Sequence, residues 1–127
     1  MVELKFTLES QAGELQRIGL RVQIVSFLMQ QAVKEGNAVN DENRHKVHVA
    51  IRLEDAGKIE KIKNDLVKYL NKLHDSDPIS YKQFPKDITA TELRPLDNPH
   101  PTTVMSLQEF ASSLMLEQTS KGIGAML

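Results

Sequence analysis

Cysteine and tryptophan are missing from this 127-residue chain, and aromatic residues make up only 5% of it. Without a thiol there is no disulfide, no thiolate metal ligand and no cysteine nucleophile. Few aromatic rings leave little surface on which a base or a sugar can stack. Neither charge dominates: 16 Lys and Arg stand against 17 Asp and Glu, for a net charge of −1. That balance argues against a dedicated polyanion binder, which is expected to be basic. No apolar run approaches the ~20 residues of a membrane span. The opening MVELKFTLES lacks the basic and then apolar stretches of a secretory leader. A cytoplasmic protein that needs no cofactor is the simplest expectation.

What is present describes an ordinary core. Hydrophobic residues are 40% of the chain and charged residues 26%, enough to fold without a disulfide or a metal. VELKFTLE alternates: Val2, Leu4, Phe6 and Leu8 point one way, Glu3, Lys5 and Thr7 the other, as in a half-buried strand. SQAG then breaks the pattern. From 17 to 25 two templates fit. Leu15, Ile18, Val22, Val25, Met29 and Ala32 share a helix face, while Ile18, Leu20, Val22 and Ile24 alternate as in a strand. Beyond Ser26, a candidate N-cap, only the helix pattern continues, with Gly36 as its expected stop.

The turn-rich NAVNDENRH leaves room for a short strand at 38–40. KVHVAIRL is the clearest strand of the chain, with Val47, Val49, Ile51 and Leu53 toward the core. Asp55 is placed to cap the next helix. Ile59, Ile62, Leu66, Leu70 and Leu73 form that helix's buried stripe, and Lys58, Lys61, Lys68 and Lys72 its wet face. ISYKQF and DITATELRPL suggest weaker strands. RPLDNPHPTT reads as a proline-bearing linker. A final helix opens on a capping box, Ser106 to Glu109, with Leu107, Phe110, Ala111, Leu114 and Met115 on one face.

This order predicts an α+β ferredoxin-like sandwich, an antiparallel sheet with two helices on one face, plus an appended C-terminal helix. The expected division is a domain over 1–100 and a helical extension over 101–127. That extension covers the open sheet face or meets a partner. Cover within the chain is the first expectation, and a homo-oligomer or protein contact through 106–116 is its alternative.

RVQIVSF, with Ala32 further on, resembles the acylphosphatase signature G-R-V-Q-G-V-x-F-R, and VHVAIRLEDAGKIEKIKNDLVKYL is similar to that family's third strand and second helix. The resemblance spans 17–73 and implies a strand at 17–24. It also implies a loop whose backbone N–H groups and arginine grip a phosphate, with an asparagine placing the attacking water. The working positions are replaced here. Leu20, Ile24 and Ser26 stand where glycines belong, and Leu28 where the arginine belongs. A leucine cannot neutralise a dianion, and a β-branched residue resists positive φ. The resemblance therefore implies the scaffold without most of the catalysis. A surviving hydrolase would need Arg21 or Arg52 for charge and Asn40 or Asn43 for water.

The other constellations are weaker. His45 and His48, three apart in a strand, fall on opposite faces and are too few for zinc, so no metal is expected. Arg21, Gln23, Arg44, His48 and Arg52, with Lys46, are the candidate small-anion residues. KVHVAIRL lacks the aromatic residues of an RNA-recognition strand, which argues against nucleic acid. The expected function is an interaction or small-anion-binding module, with an acyl-phosphate hydrolase second and an RNA binder third.

Overall fold

A computed structural model of the chain describes residues 1–96 and 103–114. It is an α+β protein built on an antiparallel sheet. β1 (Val2–Glu9) runs beside β3 (Lys46–Leu53) through eight paired positions, from Val2↔Leu53 to Glu9↔Lys46. β2 (Glu35–Asn40) pairs with the other side of β3. Short strands finish the edges. β4 (Thr89–Ala90) and β5 (Arg94–Pro95) lie on β1, and β6 (Met105–Ser106) lies on β2, so the order is β4-β1-β3-β2-β6 with β5 also on β1. β1 and β2 both oppose β3 and so run parallel to each other, joined by α1 (Leu20–Gln30). β3 and β4 are related in the same way through α2 (Ala56–Ser76).

One face of the sheet holds the core. Phe6, Leu8, Ala38, Val47, Val49 and Ile51 pack against Leu20, Ile24 and Leu28 of α1 and against the α2 stripe. Ile59, Ile62, Leu66, Leu70 and Leu73 are all buried, as their spacing predicts. Asp55 caps α2 by accepting from the N–H groups of Gly57 and Lys58. Phe27 stacks on Tyr69 at 5.0 Å, and the Tyr69 hydroxyl donates to Gln23 Oε1 at 2.9 Å, fastening α1 to α2.

The structure corrects several sequence expectations. Residues 20–25 are helical, not a strand. The ambiguity arose because α1 is covered on more than one side, so its apolar residues do not keep to a single stripe. Gly19, at φ 85°, starts the helix. Ser26 is inside it and caps nothing. The stop is at Ala32, φ 64°, rather than Gly36, which belongs to β2. The N–H of Val33 reaches Leu28 O and that of Ala32 reaches Met29 O, both at 3.0 Å. This is a Schellman closure with alanine in the glycine position. Residues 78–83 form turns where a strand was expected, because Asp77 accepts from Ser80 N and its carbonyl from Tyr81 N. The stretch 87–96 yields only the two short strands β4 and β5. The strand expected at 38–40 begins earlier, at Glu35.

The last helix is described over 107–114 and labelled α3. Ser106 Oγ accepts from Glu109 N at 3.4 Å, the expected cap. It does not cover the open sheet face. Leu107 is fully buried in the main core and its N–H donates to Lys34 O at 2.9 Å, which places α3 in the helical layer beside α1. Most of the expected linker, Met115 and the tail lie outside the described residues. No helix among the described residues is long and apolar enough to cross a membrane.

Candidate functional site

The β1–α1 connection and the β2–β3 turn meet at one end of the sheet. Ser10 N donates to His45 O at 3.1 Å and Leu15 N to Arg44 O at 2.8 Å. Gln16 Nε2 lies 2.6 Å from Asp41 O and 3.2 Å from the carbonyls of Asn43 and Lys46. Asp87 reaches in from the other side, accepting from the Ser10 hydroxyl and from Gln11 N and Ala12 N at 3.0 Å. Those donors hold its carboxyl below the ordinary range, the Ser10 hydroxyl first and the Ala12 N–H next. The Ser10 hydroxyl is thus taken up in holding Asp87.

This end gathers Arg21 at the start of α1, Asn40 at the end of β2, and Asn43 and Arg44 in the turn. Asn43 is occupied by the turn itself: its N–H donates to Asp41 and its Oδ1 accepts from His45 N, both at 2.9 Å. Arg44 stands 4.0 Å from Glu14. Arg21 and Asn40 have no side-chain hydrogen bond or ion pair among the described residues, nor does Arg17 at φ 67°. Gln23 faces α2 and receives the Tyr69 hydroxyl. The N–H groups of R-V-Q belong to the first turns of a helix that has no side-chain cap and no acidic residue in its first turn. They do not curl into a separate loop.

The sheet face away from the helices carries the other candidates. Arg52 lies between Glu35 at 3.0 Å and Glu3 at 3.6 Å. Lys46 is 3.8 Å from Glu9. His48, only 8% exposed, links two neighbours. With its proton on Nε2 it donates to Asp41 Oδ1 at 2.7 Å and accepts the Thr7 hydroxyl at Nδ1 at 2.8 Å. Asp41 sits below the usual carboxylate range, first because of the Asn43 N–H and then because of His48. Arg52 and Lys46 are therefore met by carboxylates, and both ring nitrogens of His48 are engaged.

A third feature went unforeseen in the sequence. Between α1 and α3 runs an apolar groove of about 560 Å³, lined by Val22, Val25, Met29, Ala111 and Leu114, with Ser26 and Gln30 on its lip. Met29 is 41% exposed. Its signal was present as apolar residues on a second face of α1, but which helix lies opposite is a tertiary fact. Among the described residues no group of three or more His, Asp or Glu is placed to hold a metal ion.

No protein-family model, no curated protein and no solved structure matches this chain.

Proposed function

We propose that the chain is a non-catalytic interaction module, a ferredoxin-like sandwich of the acylphosphatase type that self-associates through the groove between α1 and α3. The element order and the strand order β4-β1-β3-β2 support the sandwich. One observation carries the function: the groove has its own complement on its rim. Met29, one of three exposed large hydrophobic residues among the described residues, stands beside a hollow lined by Val25 and Leu114. A surface holding both knob and hole suits a two-fold contact, in which each copy fills the other. A net charge of −1 adds little repulsion between copies.

Solution mass of the full chain tests this. A dimer that becomes a monomer in Met29→Glu supports it, and a monomer at every concentration overturns it. A chain ending at 114 adds a control. If only that shortened chain dimerises, the groove serves the chain's own terminal residues and self-association is wrong.

A second reading, an acylphosphatase-type anion site or hydrolase, is favoured by Arg17 and Arg21, which have no side-chain partner among the described residues and lie toward the end of the sheet that holds Asn40. Saturable shifts of amides 17–23 with inorganic phosphate, together with turnover of an acyl phosphate, would support it. Loss of both in Arg21→Gln is then expected.

A further inference from the structure

The open face of the sheet reads as cross-strand rows. One row is Glu3, Arg52 and Glu35; another joins Thr7, His48 and Val39, with Asp41 at His48; a third pairs Glu9 with Lys46. Arg52 and Lys46 in these rows each face a carboxylate, and His48 is hydrogen-bonded to one. The remaining row differs. Arg94 of β5 lies directly opposite Lys5 of β1, and the row continues through Ala50 to Asn37. Two like charges opposite each other on neighbouring strands destabilise a sheet. No acid stands in the row to offset them.

Lys5 is only 8% exposed and has no hydrogen bond or ion pair among the described residues. A covered ammonium without a partner is costly. Its Nζ is not sealed in, however, since the fully enclosed side-chain atoms without a hydrogen bond among the described residues are Arg52 Nε and His74 Nδ1. The carboxylates that β1 and β2 carry on this face meet other cations: Glu3 and Glu35 meet Arg52, and Glu9 meets Lys46. Ala50, next in the row, is itself fully covered and carries no charge. Asn37 Nδ2 donates to Thr103 O at 3.0 Å and offers no acid either.

We infer that Lys5 and Arg94 form a binding site for a phosphate-class dianion on the open face of the sheet. An ammonium and a guanidinium carried at one register position of neighbouring strands supply two charges and several donors, which match phosphate better than a monovalent carboxylate. The site lies on the opposite face from α1, and it stands or falls independently of self-association.

The test is a titration of the labelled full chain with inorganic phosphate at constant ionic strength, following the backbone amides by NMR. Saturable shifts at Lys5, Ala50 and Arg94 are expected. Lys5→Met keeps the apolar stem and should weaken binding roughly ten- to hundredfold, the value of one charge-assisted hydrogen bond. Arg94→Gln serves as a second, exposed variant with little risk to folding. Phenyl phosphate in parallel distinguishes a free phosphate from a phosphomonoester as ligand; binding by neither overturns the site. Unchanged affinity in both variants overturns it, as do shifts confined to residues 17–23 or acetate binding as tightly as phosphate.

Discussion

Asp87 shows how much one carboxylate can organise. It gathers a hydroxyl and two backbone N–H groups from residues 10–12 and pins the β1–α1 connection to the segment before β4. Its folded pKa is depressed, so its contribution is present above the unfolded value of about 3.9. It is lost as pH falls through the lower folded value. Asp41 titrates in the same sense. Asp87→Asn should therefore be less stable than the parent at pH 6, and the gap should close as pH falls below about 4. Urea denaturation midpoints across that range check this; a gap independent of pH would remove the carboxylate from the argument. Gly36 is the second decisive residue. A Cβ there would lie 2.6 Å from Ala50 O and 3.4 Å from Leu107 Cδ2. Gly36→Ala should cost about 1–3 kcal/mol, the usual penalty of overpacking, measured by thermal or chemical denaturation. Its selection is for close approach of β2, β3 and α3, which the sequence showed only as a misplaced helix stop.

Among the elements, α2 was legible throughout. It has one stripe, one wet face and one cap, because it packs on one side only. α1 was not, because the sheet and α2 flank it on one side and α3 on another. A helix covered from two directions loses the one-sided pattern that identifies a helix. Its end is also atypical. Ala32 occupies the left-handed position of the Schellman closure at φ 64°, a conformation that glycine adopts at no steric cost. Ala32→Gly should raise stability by roughly 0.5–1 kcal/mol despite glycine's greater unfolded-state entropy. A fall in the unfolding midpoint would mean that the Ala32 methyl makes contacts worth more than the strain. The edge elements β4 and β5 were foreseen only as one weak strand. Backbone pairing there is brief, and the segment is tied down by Asn71, which exchanges two hydrogen bonds with Ile88.

Over the whole molecule, α3 belongs to the common core and does not hang from it. Leu107 is fully buried among residues of the sheet and of the other helices. Leu107→Ala should destabilise the entire fold by about 2–5 kcal/mol in a single transition. Calorimetry distinguishes this from a separate extension: local melting of 107–114 ahead of the rest would show that α3 folds apart. The same placement opens the groove beside Met29 and leaves the opposite sheet face to polar rows. Three regions of different chemistry result: an apolar groove, an end of the sheet toward which Arg17, Arg21 and Asn40 lie, and a face with one cross-strand pair of cations that no acid in the row offsets.

The sequence by itself determined the α+β class, the strands VELKFTLE and KVHVAIRL, the α2 helix with its Asp55 cap and the start of α3 at Ser106. Each follows from a local period or a local hydrogen bond, and both are written in consecutive residues. The tertiary structure decided the rest. It made R-V-Q part of a helix, because burial on two sides favours the helical reading of an apolar stretch that fits both patterns. It set Arg52 between Glu3 and Glu35, His48 against Asp41, and Lys5 beside Arg94. Which charge meets which across a sheet depends on strand order and register. Those are set by core packing between segments far apart in the chain, and no local pattern records them.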